Sequence, residues 1–366
     1  MIIGVVNETR TGERRVGLVP SVVQTLCSKG HTVLIEGGAG FASGFLDDAY
    51  TQAGATVASA SVVYEKAQLI VRVSNPSEAD VLNMKQGTSL IAMVFAQRSP
   101  DVPSMLARAG VNTYALDALP RITRAQVMDV LSSQNNLAGY KAVIVGANAL
   151  GRIFPLMTTA AGTVKPATVL IYGAGVAGLQ ALATAKRLGS VVHVTDLRPE
   201  TAEQVASLGG RFVSVEGLDQ VNVVGGYVAS ATNDVLARQK EAVEKVLFTA
   251  DLVITTALVA GGKAPCLITR EQVGKMKPGA VVVDLAADAG GNCECTNGAN
   301  TEQIGAVTII GCPQLAASIP NTASELYAKN VLAFIQEIAP DGNLTFDMSN
   351  EIVAATLIVH NGEVRS

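Results

Sequence analysis

Short runs of β-branched and other apolar residues alternate along this chain with longer segments in which apolar residues recur at helical spacing. Such runs have the length and composition of strands that are buried on both faces. Alternation of strands with helices is typical of a parallel sheet whose faces are covered by helices. The sequence therefore predicts an α/β fold with strands at residues 2–6, 32–36, 69–73, 90–95, 111–115, 168–172, 191–196, 252–256, 281–285 and 308–311.

The length of the chain predicts two domains. A chain of 366 residues exceeds the size at which one hydrophobic core stops growing, about 250–300 residues. Residues 124–153 predict a helix that crosses between the domains, although their three glycines weaken that prediction, and residues 323–339 predict a helix that packs back on the first domain. We expect two Rossmann-like domains with parallel sheets, joined by long helices around a cleft: residues 1–131 with 318–366, and residues 132–317.

Composition excludes several classes of protein. A net charge of −4 argues against a nucleic-acid partner. Five scattered cysteines are not a disulfide framework, and the spacing of Cys293 and Cys295 does not fit a zinc site, so we expect no metal. The stretch between Lys165 and Lys186 is uncharged and long enough to span a membrane, but its glycines favour a strand, a turn and a helix.

The most specific local signal is the glycine turn, residues 173–178, which has the pattern Gly-x-Gly-x-x-Gly between a predicted strand and a predicted helix. In this pattern Gly173 permits the tight turn, Gly175 lets the backbone approach a diphosphate, and Gly178 allows close packing of helix on strand. Asp196 ends the next predicted strand, 18 residues after Gly178 (196 − 178). A carboxylate there accepts hydrogen bonds from the adenosine ribose and repels a 2′-phosphate, so the sequence predicts NAD(H) in preference to NADP(H). The alternative is a glycine-rich turn without a ligand.

Two polar features leave alternatives open. Arg198 either contacts the adenosine end of the cofactor or lies in solvent at a helix start, and the sequence favours the second interpretation. The polar segment, residues 120–134, predicts a helix that starts at an N-cap, Thr123. Its spacing brings polar side chains together, either to hold a carboxamide and a ribose or as a capping network at a domain hinge. These side chains are Arg121, Gln126, Asp129, Ser132 and Ser133.

Several motifs resemble the NAD(H)-binding component of proton-translocating NAD(P) transhydrogenase. They are PRITRAQVMDVLSSQNNLAGYKAV (residues 120–143), GAGVAGLQAL (173–182), VITTAL (253–258), VVVDLAADAGGNCE (281–294) and SELYAKN (324–330). The resemblance extends from residue 8 to residue 330 and continues more weakly to the end. The length is similar to that of the family's split form, in which this component is a separate subunit.

The resemblance implies a role for each matching residue. It implies that the cofactor-binding turn, the ribose carboxylate and their neighbours are Gly173, Gly175, Val176, Ala177, Gly178, Asp196, Leu197 and Arg198. It implies that a loop which positions the nicotinamide and reaches toward the NADP(H) domain contains Arg121, Gln126, Asp129 and Ser132. Tyr227, after Gly225 and Gly226, matches a mobile loop that closes over the nucleotide. A strand end that lines the NAD site matches Thr255, Thr256, Ala257 and Leu258, and the family usually has a proline where Ala260 stands.

The resemblance also implies an activity and partners. The chain is expected to be part of an enzyme that transfers hydride between its own NAD(H) and NADP(H) on a partner subunit, coupled to proton translocation. The nicotinamides carry this chemistry, so the protein supplies proximity, alignment and exclusion of water. The family further implies a homodimer, membrane-spanning partner subunits, and a cytoplasmic position at the inner face of the membrane through those partners.

Alanine dehydrogenase has the same lineage and is the first alternative. Arg15 resembles its substrate-carboxylate arginine, and Asp288 resembles its acidic catalytic residue. Ser74 and Val94, however, stand where that enzyme has its lysine and its histidine, so the acid–base groups for a 2-oxo acid are lacking. A non-enzymatic NAD(H) sensor is the second alternative, because a lone NAD(H)-binding component would bind the nucleotide with hardly any turnover.

Overall fold

A computed structural model describes residues 1–215, 222–224, 227–230, 233–258 and 262–365 of the chain. Contacts within these ranges separate two compact units, residues 1–134 with 316–366 and residues 135–315, which we call the first and the second unit. Of the helices that the structure describes, none is long and apolar enough to cross a membrane.

Strands and helices alternate along both units. The strands are β1 (Ile2–Val5), β2 (Thr32–Glu36), β3 (Thr56–Ala58), β4 (Leu69–Ser74), β5 (Ser89–Met93), β6 (Asn112–Ala115), β7 (Met157–Thr159), β8 (Gly162–Val164), β9 (Thr168–Tyr172), β10 (Val191–Thr195), β11 (Arg211–Phe212), β12 (Asn222–Val224), β13 (Tyr227–Ser230), β14 (Leu252–Thr255), β15 (Val281–Asp284), β16 (Thr301–Ile304), β17 (Val307–Gly311), β18 (Leu357–His360) and β19 (Glu363–Val364). The helices are α1 (Pro20–Ser28), α2 (Asp47–Gln52), α3 (Ala60–Lys66), α4 (Glu78–Asn83), α5 (Asp101–Arg108), α6 (Val130–Ala149), α7 (Val176–Arg187), α8 (Thr201–Ser207), α9 (Asn233–Leu247), α10 (Arg270–Lys275), α11 (Pro320–Ile338) and α12 (Glu351–Thr356).

A large sheet forms the centre of the first unit, with strand order β19-β18-β6-β5-β4-β1-β2-β3. Strands β1 to β6 are parallel, whereas β18 and β19 run antiparallel at one edge. Strands β4 and β5 are buried along their whole length, as expected for parallel strands covered on both faces. Helix α11 contributes Tyr327, Val331 and Phe334 to the core of this unit, which binds the C-terminal segment of the chain to it.

The second unit contains a sheet of strand order β11-β10-β9-β14-β15-β17-β16, parallel except for β16. The chain leaves β9 toward β10 and β11, and later returns to β14 on the opposite side of β9. The carboxyl ends of β9 and β14 therefore form a topological switch point, the place where open α/β sheets bind their ligands. Two antiparallel pairs, β7 with β8 and β12 with β13, lie outside this sheet.

The predicted α/β class with parallel sheets is confirmed, because both large sheets are mainly parallel and alternate with helices. The ten predicted strands are each found within two residues of their expected bounds. Nine described strands were not predicted, and each has only two to four residues: β3, β7, β8, β11, β12, β13, β16, β18 and β19. Such strands are too short to produce a recognisable apolar run.

The glycines in helix α6 do not interrupt it. A methyl group at Gly139 would lie 2.1 Å from the carbonyl oxygen of Ala177, and one at Gly146 would lie 2.5 Å from Leu252 Cδ1. Glycine at these positions therefore lets α6 pack closely against α7 and β14 within the second unit. The sequence predicted that these glycines weaken the helix, but close packing requires them. The packing outweighs the cost of about 1 kcal/mol for glycine in a helix.

Candidate dinucleotide site

The glycine turn connects β9 to α7 at the switch point of the second unit. Gly173 has a φ of +98°, and a methyl group there would lie 2.5 Å from Thr256 Oγ1. A methyl group at Gly178 would lie 1.8 Å from the carbonyl oxygen of Gly173, so this glycine is needed for the helix to start directly against the strand end. The first and third glycines are therefore required by conformation and packing, ligand or none.

Gly175 differs from the other two glycines because its open side faces little of the described part of the chain. Among the described residues, the nearest atom to a methyl group built there is Arg198 Nη2, at 4.0 Å. Gly175 is the N-cap of α7, and no side chain in the described ranges caps this helix start. The first N–H groups of a helix have no acceptor within the helix and attract anions. The backbone around Val176 and Ala177 thus offers N–H donors that no described side chain caps, and donors of this kind fit a diphosphate.

Asp196 follows β10 and holds the glycine turn in place. Its Oδ2 accepts a hydrogen bond from the Ala174 N–H at 2.7 Å, and its Oδ1 accepts one from the Arg198 N–H at 2.9 Å. Burial raises the pKa of Asp196, but the hydrogen bonds from Arg198 and Ala174 outweigh this and lower it below its usual range. The carboxylate is consequently ionised at neutral pH and lies at the position expected of a ribose acceptor.

The side chain of Arg198 lies against Asp196. Its Nε donates to Asp196 Oδ1 at 2.9 Å, and its Nη2 donates to Oδ2 at 2.8 Å. The side chain is 24% exposed, and helix α8 begins three residues later, at Thr201. The sequence did not predict that a neighbouring carboxylate binds the guanidinium, and the choice between the two interpretations of Arg198 stays a prediction. Leu197, between Asp196 and Arg198, is half-buried.

The end of β14 forms the other side of the switch point. Thr256 donates from its N–H and its Oγ1 to the carbonyl oxygen of Tyr172, both at 2.9 Å, which ties this segment to the strand before the glycine turn. Thr255 is buried and donates to Asp284 Oδ1 at 2.9 Å. Ala257 is half-buried and Leu258 is exposed. Of the four predicted lining residues, Thr255 and Thr256 thus lie beside the strand end that leads into the glycine turn, and the lining role of Ala257 and Leu258 stays a prediction.

Asn292 fixes the backbone of this lining segment and was not predicted from the sequence. Its Oδ1 accepts from the Ala257 N–H at 3.0 Å, while its Nδ2 donates to the carbonyl oxygens of Ala257 at 2.9 Å and Pro265 at 2.8 Å. The buried side chain therefore pairs with Ala257 as a neighbouring strand would. An asparagine directly after two glycines, in the loop that follows β15, was the signal available in the sequence.

Asp284, also not predicted, organises the loop that carries Asn292. This buried carboxylate accepts hydrogen bonds from the N–H groups of Ala286, Asn292 and Cys293 and from the hydroxyls of Thr255 and Thr296, at 2.6–3.1 Å. A buried carboxylate with this number of donors is well compensated for its lost hydration. The result is a rigid path from β15 through Asn292 to the lining segment.

The polar segment lies entirely in the first unit, and its predicted helix is wrong at its start. Thr123–Met128 forms a 3-10 helix, the backbone is extended at Asp129, and α6 begins only at Val130. Asp129 caps α6, since its carboxylate accepts from the Ser132 N–H at 2.9 Å and the Ser132 hydroxyl at 2.5 Å.

The remaining residues of the polar segment do not share one helical face. Ser133 donates to Asn330 Oδ1 at 2.8 Å instead of joining Gln126. Gln126 and Arg121 are exposed. The structure therefore joins Asp129 and Ser132 as a capping pair and leaves Gln126 on the surface, where a partner molecule can reach it.

Two of the three residues named for the predicted mobile loop, Gly225 and Gly226, lie outside the described residues. Tyr227 begins β13, and nothing is described of its side chain. Ala260 likewise lies outside the described ranges. Among the residues that the structure describes, no group of three or more metal-ligating side chains could hold an ion.

The residues that resemble an amino-acid dehydrogenase site are already bonded to each other or lack acid–base chemistry. Arg15 donates to Glu13 from Nε and Nη2, and to Gln134 Oε1 from Nη1, each at 2.7 Å. Ser74 donates to Glu13 Oε2 at 2.8 Å, and Val94 is fully buried. Neither position carries a lysine or a histidine, and Asp288 lies exposed in the second unit.

Comparisons with known proteins identify the family. Two family models match the chain: "Alanine dehydrogenase/PNT, N-terminal domain" over residues 4–138 and "Alanine dehydrogenase/PNT, C-terminal domain" over residues 142–366. The chain is 44% identical to the first of the parts into which NAD(P) transhydrogenase subunit alpha of Rhodospirillum rubrum is divided, over 100% of this chain and 97% of that protein. A solved transhydrogenase from Sinorhizobium meliloti is 42% identical and superposes with a TM-score of 0.92 over the full length of both chains. Alanine dehydrogenase of Bacillus subtilis is 29% identical, over 100% of this chain and 92% of that enzyme. Over both halves of its length, this chain belongs to the alanine dehydrogenase/PNT family.

Proposed function

We propose that this chain is the NAD(H)-binding component of a proton-translocating NAD(P) transhydrogenase. In this proposal NAD(H) binds at the glycine turn, and hydride passes between it and NADP(H) on a partner subunit, coupled to proton translocation. The names of the relatives support this choice, since a full-length match to a transhydrogenase subunit is 44% identical and an alanine dehydrogenase is 29% identical. The motifs quoted from the sequence point to the same branch of the family.

The observation that carries the proposal is the pairing of an open glycine with a fixed carboxylate at the switch point. No described side chain caps the start of α7 at Gly175, while Asp196 follows the next strand and accepts a hydrogen bond from the glycine turn. A dinucleotide presents a diphosphate and a ribose at the separation of such a pair in Rossmann domains. The residues present therefore fit NAD(H), and the negative charge of Asp196 opposes the 2′-phosphate of NADP(H).

The protein's role in the reaction is to bind and orient. The backbone donors of α7 would hold the diphosphate, and Asp196 would hold the ribose. Residues 255–258 would line the site, and Asn292 fixes their backbone through its hydrogen bonds to Ala257. The bound nicotinamides supply the chemistry, direct exchange of a hydride, so the protein needs no acid or base for it. We assign the positioning of the nicotinamide to Arg121, Gln126, Asp129 and Ser132, on the family resemblance and on the exposure of Gln126.

We further propose that the chain forms a homodimer and joins membrane-spanning and NADP(H)-binding subunits, which would hold it at the cytoplasmic face of the membrane. Two relatives are named as one numbered piece of a divided alpha subunit, which supports the existence of further subunits. The hairpin of β7 and β8 supports self-association, because Leu156, Met157 and Val164 are all exposed on it or directly before it. Clustered exposed apolar residues mark surfaces that other chains cover.

The alternatives are weaker on specific grounds. An alanine dehydrogenase needs acid–base groups in the first unit, and Ser74 and Val94 provide none. A sensor would bind NAD(H) without a reaction partner, and nothing in the described geometry favours that role over the proposed one.

A mixing experiment tests the proposed function. The purified chain is first titrated with NADH by calorimetry, and then combined with an NADP(H)-binding domain of the same family. We expect NADH to bind and the mixture to exchange hydride between the two nucleotides. Absence of NADH binding contradicts the proposal, binding without exchange supports the sensor, and alanine-dependent NADH formation by the chain alone supports the dehydrogenase.

A further inference from the structure

The carboxylate of Asp196 has no acceptor position left for a ribose. A carboxylate offers about four lone-pair positions on its two oxygens. In this structure two are used by the backbone N–H groups of Ala174 and Arg198, at 2.7 and 2.9 Å. The other two are used by Nε and Nη2 of the Arg198 guanidinium, at 2.9 and 2.8 Å. A ribose that needs Asp196 as its acceptor must replace one of these pairs.

We propose that the Arg198 guanidinium occupies the ribose subsite in the free protein and that a bound adenine nucleotide displaces it. Arg198 thereby determines how tightly the site holds the ribose diol. This inference rests on the proposed function, because it concerns the same NAD(H) site.

The geometry decides which pair is displaced. The two backbone donors belong to the glycine turn and to the chain after β10, and they cannot leave without opening the turn. The guanidinium can leave by rotation of its side chain, which is 24% exposed and so has a path to solvent. Its two parallel N–H groups also match the two hydroxyls of a cis-diol in number and spacing. The exchange therefore replaces the two hydrogen bonds that the guanidinium donates to Asp196 with two that the ribose diol donates to the same carboxylate.

The position of the guanidinium relative to the turn supports this exchange. Of the described atoms, Arg198 Nη2 is the nearest to the open side of Gly175, at 4.0 Å from a methyl group built there. The arginine thus stands at the edge of the space that the nucleotide enters. A ribose that approaches Asp196 from that space meets the guanidinium already bound to the carboxylate.

The inference predicts coupling between Arg198 and the ribose hydroxyls. In the wild-type protein the ribose diol forms hydrogen bonds to Asp196, but the hydrogen bonds between Arg198 and Asp196 are lost. The diol therefore adds little to the affinity for the nucleotide. In Arg198→Gln the Asp196 acceptors are no longer held by a charged fork, so the diol contributes fully. We expect the ratio of the dissociation constants of 2′,3′-dideoxy-AMP and AMP to rise about fivefold or more in the variant.

The experiment measures both nucleotides on both proteins by calorimetry or ligand-detected NMR. Any contact of Arg198 with the phosphate affects both nucleotides equally and cancels in the ratio. Arg198→Lys is measured as well, because it retains the charge but lacks the two parallel N–H donors of the guanidinium. The same rise in the ratio is expected for this variant, which replaces Arg198→Gln in the test if Arg198→Gln does not fold. A ratio that is unchanged or lower than in the wild type overturns the inference alone. Failure of AMP to bind the wild-type protein overturns the proposed function together with it.

Discussion

Replacing Glu8 by glutamine should remove much of the pH dependence of this protein's stability between pH 5.5 and 8.5. The Glu8 carboxylate is almost fully buried in the first unit, 3.5 Å from Arg72 Nη2, and accepts a hydrogen bond from the Val73 N–H at 2.5 Å. It belongs to a buried charge cluster of three carboxylates and two guanidiniums, which comprises Glu8, Glu13, Arg15, Arg72 and Asp80. One carboxylate in this cluster therefore lacks a full counter-charge.

The magnitude follows from the pKa of that carboxyl group. Burial raises the pKa of Glu8 from 4.5 to about 7, although Arg72 acts in the opposite direction. Between these two values the folded chain holds a proton that the unfolded chain has released, so stability falls as the pH rises. Each pKa unit corresponds to about 1.4 kcal/mol, which gives a total loss of about 3 kcal/mol and about 2 kcal/mol between pH 5.5 and 8.5.

Urea unfolding of the wild-type protein and Glu8→Gln at several pH values measures this effect. Glutamine keeps an acceptor for the Val73 N–H but cannot ionise, so the difference between the two unfolding free energies isolates the titration of Glu8. Glu78→Gln is the matched control, because this glutamate is exposed on α4 and its exchange should leave the pH profile unchanged. A difference between wild type and Glu8→Gln that stays constant from pH 5.5 to 8.5 would refute the reasoning.

Three further substitutions test the proposed site. Gly178→Ala places a methyl group 1.8 Å from a backbone carbonyl of the glycine turn, so it should weaken NADH binding at least tenfold and lower the unfolding free energy by about 1–3 kcal/mol. Gly274→Ala is the control, because no described atom lies within 4 Å of the added methyl group, and it should change neither quantity. Equal NADH affinities of Gly178→Ala and the wild-type protein would contradict this prediction. Asn292→Ala removes the pairing with Ala257, so the KM for NADH in the reconstituted complex should rise about tenfold with little change in kcat, and an unchanged KM would argue against the positioning role. Gln126→Ala should slow hydride transfer while leaving NADH binding and stability nearly intact, because the side chain is exposed; full turnover would remove it from the proposed machinery.

The strands and the glycine turn could be predicted because their signals are local. A buried parallel strand requires an apolar run, and a tight turn into a helix requires glycines at fixed spacing. Gly173 and Gly178 accordingly take the conformations and contacts that the pattern predicts. The carboxylate at the end of the next strand is equally local, since Asp196 is fixed by the length of one helix and one strand.

The remaining features depend on contacts between distant residues. Helical spacing in the polar segment gave no sign that the chain would break at Asp129, because the break follows from an aspartate that caps a new helix. The role of Asn292 depends on Ala257, 35 residues earlier, and becomes visible only when β14 and β15 are neighbours. A glycine that weakens an isolated helix, such as Gly139, proves necessary once α7 packs against it.

Exposure distinguishes Arg15 from Arg198, two arginines that are each bound to a neighbouring carboxylate. Arg15 is 6% exposed, and its guanidinium is held by a buried carboxylate, Glu13, and by Gln134. Displacing it would leave an uncompensated charge inside the first unit, at a cost of several kcal/mol that a small substrate carboxylate cannot supply. Arg198 is bound to Asp196 by the same kind of fork but is 24% exposed, so its charge can move into water when a diol replaces it. The difference in burial therefore favours a nucleotide site in the second unit and disfavours an amino-acid site in the first, although both contain an arginine bound to a carboxylate.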